Sequence, residues 1–567
     1  MRLTIRTQSD GWYLGEEKLP LRIEALESYR SNGYWADKTL GDMVEEAARK
    51  WPARIALASK ERRLSFLELD QLSTRLALGF LETGLRPGDM VAVQLPNSIE
   101  HVLTIFALGK IGAVCNIIVP LMREKEVSHI LNHCKSKCII IPREHAGYNH
   151  LDMVRRISGS TPSLQTLIVL GETDSSEGVT SFEGLLSGSL KKDYAPDHLR
   201  AFRPSPDAVS LVGFTSGTTA QPKAYLHTHN TEYFNSYCCA LADALPFLGR
   251  PAVNIALPGF AWMYGRICNV HGGVIGGATT VIVDRMDPDT ILAAVKAERP
   301  THIHAAPAVY RSLVEGLLSL DDDVRSNLAV INYAGSTIPH GLASQLRGIC
   351  DLVTCYGLSE VSPICSMSIM DSPEAQKYAS GRPSWGNKVR IIDEKGAPVG
   401  LGEAGEIAMT GPGLFLGYLG QPEETAKAFL DDGFFRTGDS GFFDEALYLN
   451  ITGRIKDVID RGGVKFSARE VEELILAHPK VRDVAIVGAP DKRLGEKACA
   501  FVVTRDGVTL SLEELVAFLR QKGIATQKFP ERLENADELP YTPTGKLKKF
   551  LLRERIAKII SDEERQT

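Results

Sequence analysis

Apolar residues fall into short runs along most of this chain, and the runs alternate with stretches of helical spacing. Met90–Leu95 has the length and composition of a strand. Ile99, Val102, Leu103 and Phe106 then recur at intervals of three and four, which puts them on one face of a helix. Cys115–Val119 is the next apolar run, a helix is predicted from about Arg123, and Cys138–Ile141 reads as a buried strand. This alternation predicts a mostly parallel sheet with helices packed on it, since parallel neighbours need a crossover and a helix supplies one. Further strands are predicted at Ala208–Phe214, Thr279–Val283 and Ala329–Asn332.

Toward the carboxy terminus the pattern changes. Ser467 with Glu470, and Ser511 with Glu514, have the spacing of a capping box, in which each side chain satisfies a free amide at a helix start. Between them lie the strand-like runs Val484–Val487 and Ala500–Val503. The segment Gly453-Arg454-Ile455-Lys456-Asp457 is short and charged, and the domain boundary is placed there. The expected fold is α/β. Residues 1–453 form a large domain of several subdomains with mostly parallel sheets, and residues 454–567 form a small α+β domain.

Composition narrows the class. A chain of 567 residues is too long for one ordinary core. With 44% hydrophobic and 24% charged residues it reads as a soluble globular protein. The net charge of −6 argues against nonspecific binding of nucleic acid or anionic membrane. Neither the start, MRLTIRTQSDGWYLGEE, nor any later run has the length of a signal or membrane-spanning segment, so a cytoplasmic location is expected. Cys134 and Cys138 follow His133 but lack a second ligand pair, and they read as buried thiols rather than a zinc site. Cys238 and Cys239 are read the same way.

The most informative segment is Gly213-Phe214-Thr215-Ser216-Gly217-Thr218-Thr219-Ala220-Gln221-Pro222-Lys223. A strand ends in a loop rich in hydroxyls, whose amides and side chains can converge on phosphate oxygens. Lys223 adds a mobile positive charge. The loop lacks the Gly-Lys-Ser/Thr of a Walker A turn. With His227-Thr228-His229-Asn230 downstream, it resembles the phosphate loop of the acyl-adenylate-forming superfamily, which comprises acyl- and aryl-CoA synthetases, adenylation domains and luciferases. Further motifs follow in that family's order. Ala334-Gly335-Ser336-Thr337-Ile338-Pro339 resembles the adenine-binding turn. Cys355-Tyr356-Gly357-Leu358-Ser359-Glu360 resembles the motif in which an aromatic ring packs on adenine, a hydroxyl meets the α-phosphate and a glutamate binds magnesium. Phe435-Arg436-Thr437-Gly438-Asp439 resembles the motif whose aspartate holds the ribose hydroxyls, and Arg454 matches an arginine that reaches the nucleotide.

The resemblance carries further implications. Pro540-Tyr541-Thr542-Pro543-Thr544-Gly545-Lys546 matches the motif that ends in the adenylation lysine, here Lys546. Lys456 matches the hinge about which the small domain swings, and Arg461-Gly462-Gly463-Val464-Lys465 the segment lining the pantetheine path. The stretch 257–265, with Phe260, Trp262, Met263 and Tyr264, matches the acyl-pocket segment, and His227 is assigned to the same pocket. Two departures stand out. Ala220 occupies a position usually held by glycine, at a cost of about 1 kcal/mol if φ is positive there. Ala261 and Trp262 replace the His-Asn pair of enzymes that select hydroxybenzoates, and with Met263 and Tyr264 they suggest a largely apolar pocket.

The amino-terminal signature Tyr29–Trp35 resembles both standalone aryl-acid adenylating enzymes and CoA ligases for cyclic and aromatic acids. The implied activity is an ATP- and magnesium-dependent acid–CoA ligase acting on a hydrophobic cyclic, aromatic or medium-chain carboxylate. Loading a carrier-protein pantetheine, or performing the thioester half-reaction alone, remains open. A non-catalytic nucleotide-binding regulator has no need of Lys223, Glu360, Asp439, Arg454 and Lys546 together. The sequence is silent on oligomeric state, although dimers are common among relatives and a homodimer is one assembly open to it.

Overall fold

A computed structural model describes residues 5–8, 11–14, 17–18, 23–173, 178–187, 194–195, 197–215, 222–245, 248–336, 338–367, 371, 380–462, 464–505, 507–541 and 547–566. It divides into two compact units, Met1–Lys388 with Met409–Phe435, and Val389–Ala408 with Arg436–Thr567. The second unit therefore takes in chain on both sides of the Gly453 junction.

The first unit is built on two mostly parallel sheets. One runs in the order Thr180–Ser181, Thr166–Leu170, Cys138–Pro142, Met90–Val93, Val114–Ile117, Val209–Phe214, Ala224–Thr228, with only the last pair antiparallel. In the other, six neighbours are parallel, from Asp351–Leu358 through Val330–Ala334, His302–Ala305, Val253–Ala256 and Thr279–Ile282 to Ile55–Ala58. Every residue of Cys138–Pro142 and of Val209–Phe214 is buried, as expected for strands covered by helices on both faces.

The helix Ile99–Ile111 differs from its sequence expectation. Ser98 caps its start by accepting from the His101 amide, and Gly112 ends it at φ 66°. It is buried almost all round rather than on one face, because the helices Leu40–Lys50 and Phe66–Glu82 pack against it. That burial takes in Lys110, whose amine meets Asp70 at 2.7 Å and Glu45 at 3.2 Å. The Tyr29–Trp35 signature is a packing element: the buried Trp35 indole donates to Pro412 O at 2.9 Å.

In the second unit, Val481–Asp491 and Gly495–Thr504 pair antiparallel. Alternation along them splits two cores. Val484, Ile486, Ala500 and Val502 face the helices Ala468–Leu476 and Leu512–Gln521. Ala485, Val487, Phe501 and Val503 face Leu552 and Ile556 of the helix Lys549–Gln566. Of the two predicted capping boxes, Ser511 accepts from the Glu514 amide at 3.2 Å. The Glu514 carboxylate pairs with Lys480 at 2.8 Å, so only half of that box forms, and the Ser467 box does not form at all. The Ser467 hydroxyl donates to Thr452 O instead, and Glu470 pairs with Lys528 at 2.7 Å.

Candidate active site

The strand Val209–Phe214 delivers the chain to the base of the predicted phosphate loop. There the Thr215 amide donates to Lys223 O at 2.9 Å, closing the loop at its neck. Ser216, Gly217, Thr218, Thr219 and Ala220 lie outside the described residues. Gly213 must be glycine because Tyr225 crosses its backbone: a Cβ there would stand 2.2 Å from the Tyr225 hydroxyl. Lys223 Nζ meets Glu424 Oε2 at 2.7 Å and sits 5.0 Å from the Tyr418 ring centre. The hydrogen bond from Lys223, with a second from Lys427, holds the Glu424 carboxyl well below the ordinary glutamate range.

Ser359 and Glu360 form the two-residue turn between the strands Asp351–Leu358 and Val361–Ser366. Pairing with Val330–Ala334 anchors the first of these strands, so the turn is presented from the sheet. Tyr418 donates to Glu360 Oε1 at 2.8 Å, and the Phe415 amide donates to Glu360 O at 2.8 Å. His227 is wholly buried and donates from Nε2 to Ser359 O at 2.9 Å. Burial, partly offset by that bond, lowers its basicity, so the ring is neutral. It braces the turn from below. Tyr356 is largely buried, and Gly357 lets the two strands close, since a Cβ would meet the Ser362 hydroxyl at 2.7 Å.

Among the described residues no three His, Cys, Asp or Glu side chains cluster as a metal cage. One carboxylate, Glu360, beside the predicted phosphate path fits magnesium, which keeps several waters and takes phosphate oxygens for the rest.

The strand Val330–Ala334 runs into Gly335 and Ser336, both exposed, with Gly335 at φ 88°. Thr337 lies outside the described residues. Of the predicted pocket residues, Phe260 is wholly buried, edge-on to the His101 ring at 5.9 Å, with its amide donating to Asn97. Met263 is buried, while Trp262 and Tyr264 are half-buried. Tyr264 packs with Ala242, Ala334 and Cys355, of which the last two immediately precede Gly335 and Tyr356 in the chain.

In the second unit Asp439 and Arg454 are register partners on adjacent strands, 3.0 Å apart. Asp439 is largely buried, and its amide donates to the Thr437 hydroxyl, which donates to Ile407 O. Burial and the charge of Arg454 lower the basicity of Lys456. The Gly462 amide donates to Leu494 O at 2.8 Å. Gly463 and Lys546 lie outside the described residues.

The AMP-binding enzyme family model matches residues 44–419, and the model of that family's C-terminal domain matches residues 470–546. The chain belongs to the AMP-binding enzyme family. It is 32% identical over 546 residues to a medium-chain fatty-acid–CoA ligase of Escherichia coli strain K12, with 94% of each chain covered. It is also 32% identical to a 2,3-dihydroxybenzoate-AMP ligase of Bacillus subtilis strain 168, covering 95% of this chain and 97% of the relative. The solved structure of the anthranilate CoA ligase AuaEII with anthranoyl-AMP shares the fold, with a TM-score of 0.81 at 23% identity over 93% of this chain and 98% of that one. This AMP-binding enzyme is thus an adenylate-forming acid ligase of mixed α/β fold with a small carboxy-terminal domain.

Sequence reasoning missed Tyr418 and Glu424, which meet Glu360 and Lys223. The signal for Tyr418 was its setting, Gly417-Tyr418-Leu419-Gly420, an aromatic between glycines. It also missed Glu232 and Arg266, a wholly buried ion pair at 2.6 Å. The signal there was an arginine alone in the otherwise uncharged stretch 257–283.

Proposed function

We propose that this AMP-binding enzyme is an acid–CoA ligase for a cyclic, aromatic or medium-chain carboxylate with a largely apolar body. One observation carries the reading. Lys223 and Glu360, distant in sequence, meet on a single side chain: Tyr418 lies under the lysine amine and donates to the glutamate. A cation and a magnesium-binding carboxylate side by side suit the handling of a triphosphate.

In the first half-reaction a carboxylate oxygen attacks the α-phosphorus of ATP, and the bond to pyrophosphate breaks. Two anions must approach, so charge has to be neutralised and the groups held in line. Lys223 leaves Glu424 for the terminal phosphates, and the Ser359 hydroxyl meets the α-phosphate. Magnesium at Glu360, when bound, neutralises the leaving polyphosphate. Tyr356, Gly357 and the turn Gly335-Ser336-Thr337 take the adenine, Asp439 and Arg454 take the ribose side, and Lys546 bridges the two reactants. In the second half-reaction the CoA sulfur attacks the acyl carbon and AMP leaves. Gly462 and Gly463 line the pantetheine arm, after residues from Arg454 onward turn about Lys456.

Transfer to a carrier protein is the second reading. A relative named as an AMP ligase, no less identical than the CoA ligase, supports it. Ala261 and Trp262, in place of a polar pair, favour the CoA reading. ATP–pyrophosphate exchange over a panel of apolar acids, repeated with CoA while AMP release is followed, tests both halves. Acid-dependent exchange and CoA-dependent AMP release are expected. Thioester formed only from a synthetic acyl-adenylate, with no exchange, overturns the adenylation half.

A further inference from the structure

Behind Tyr264 the first unit buries a chain of polar side chains that the proposed chemistry does not use. The Tyr264 hydroxyl lies 3.0 Å from Asn332 Oδ1 and 3.1 Å from Asn332 O. Asn332 Nδ2 donates to Asp243 Oδ1 at 2.5 Å. Asp243 Oδ2 stands 3.3 Å from His304 Nε2 without forming a hydrogen bond, and the Tyr264 and His304 rings stack at 6.3 Å and 10°. Asn332, Asp243 and His304 are wholly buried.

The chain has one direction. The Asp243 oxygen takes one Asn332 amide hydrogen, which turns the amide oxygen toward Tyr264. That oxygen, with the Asn332 backbone oxygen beside it, takes the only hydroxyl hydrogen of Tyr264. The phenol oxygen is left with a lone pair and no hydrogen to give, so it can receive a donor and cannot satisfy an acceptor. Hydrogen bonds polarised in series toward a carboxylate make it a stronger acceptor than an isolated phenol. Phenylalanine would fill the same place without the cost of burying an amide and a carboxyl behind it. Tyr264 is half-buried, so it is the member of this chain that a bound molecule can touch. It packs on Ala334 and Cys355, the residues just before Gly335 and Tyr356 of the nucleotide-side motifs.

We propose that the acid this enzyme activates carries a hydroxyl or amino group on its otherwise apolar body, and that the Tyr264 oxygen accepts a hydrogen from it. The inference rests on the reading of residues 257–265 as the acyl pocket and narrows the acid within that reading. Asn332 and Asp243 act as positioning residues that orient the phenol.

The test pairs acids that differ only in the donor: 3- and 4-hydroxycyclohexanecarboxylate against cyclohexanecarboxylate, and 3- and 4-aminobenzoate against benzoate. Exchange kinetics are measured on the wild type and on Tyr264→Phe, with thermal unfolding to show that the variant folds. The donor-bearing member of at least one pair is expected to lead in kcat/KM by about tenfold or more, the scale of one well-made hydrogen bond. In Tyr264→Phe that ratio is expected to fall to within about twofold, with the change in KM rather than kcat. Wild type that treats both members alike, or prefers the apolar one, overturns the inference and leaves adenylation standing. So does a Tyr264→Phe variant that keeps the preference. If no acid supports exchange, the adenylation reading fails instead. Calorimetric binding of the same pairs to the wild type then decides the inference, which falls if the donor adds no affinity.

Discussion

Arg266 donates from Nε to Glu232 Oε2 at 2.6 Å with both side chains wholly removed from solvent. Ser210, on the strand that feeds the phosphate loop, donates to the other carboxylate oxygen at 2.5 Å. Arg266 belongs to the π-helical segment Tyr264–His271, a form that recurs at functional sites. The pair thus ties the phosphate strand to the segment carrying Tyr264. Burial alone would raise the Glu232 carboxyl, but the charge of Arg266, with His271 and the hydrogen bonds, brings it down to about 2. Glu232→Gln leaves the guanidinium buried and uncompensated, and a loss of about 3–5 kcal/mol in urea unfolding is expected. A Glu232→Gln/Arg266→Met double variant should recover part of that loss. Because the carboxyl is depressed on folding, its contribution is full above the ordinary glutamate value and drains away as pH falls toward about 2.

Asp243 has the opposite sign. Burial raises its carboxyl to about 6, against the opposing effects of His302 and the hydrogen bond from Asn332. His302 donates to its backbone carbonyl at 2.9 Å, and His304 faces its side chain; burial keeps both rings neutral. Between pH 3.8 and about 6 the folded state keeps a proton that the unfolded chain releases, so stability falls as pH rises through that window and is level above it. A shift of about two units corresponds to something on the order of 3 kcal/mol. Asp243→Asn removes this term. Its stability relative to wild type should improve by an amount of that order between pH 4 and pH 7, read from parallel denaturation curves. Relative stability that does not change with pH sinks the assignment.

What the sequence disclosed divides along physical lines. An apolar run such as Cys138–Ile141 was legible because a strand in the middle of a parallel sheet is buried on both faces and is apolar throughout. The family was legible because its motifs are short local strings, and the family models match residues 44–419 and 470–546. Side chains recruited from elsewhere were not. Tyr418 and Glu424 act only through contacts with Glu360 and Lys223, and nothing in their own neighbourhood encodes those partners. The same limit explains Ser467. A capping box is a local rule, and here a carbonyl from the preceding strand, Thr452 O, competes for the hydroxyl and wins.

On the proposed reading, Lys546 separates the two half-reactions. If it bridges carboxylate and α-phosphate, Lys546→Ala should cut acid-dependent ATP–pyrophosphate exchange on the order of 10²–10³-fold, the scale of removing one charge-stabilising donor. Nucleotide binding should change little, because Lys223, Glu360 and Asp439 are untouched. Thioester formation from a synthetic acyl-adenylate and CoA should persist, because that step begins after the bridge has served. Loss of both half-reactions in a folded variant would show a structural rather than a bridging lysine.

The contact between Lys223 and Glu424 poses a competition. Lys223 has its amine 2.7 Å from Glu424 Oε2, so on the proposed reading it exchanges one anion for another when the triphosphate arrives. Glu424 also holds Lys427 at 3.0 Å, so the carboxylate keeps a partner after Lys223 leaves and the exchange exposes no lone charge. Both members of the pair are partly exposed, so solvent screens it and the pair is weak. Glu424→Gln removes the competitor without changing the side chain's size. It should lower KM for ATP by about a few-fold at most, as for a solvent-screened ion pair, with kcat little changed. Lys223→Met should move KM for ATP the other way. The Glu424 carboxyl is held far below neutrality by Lys223 and Lys427, so the wild type should show no step in KM for ATP from this residue anywhere near neutral pH. A rise in KM on Glu424→Gln would mean that Glu424 aims the lysine at the phosphates instead of detaining it.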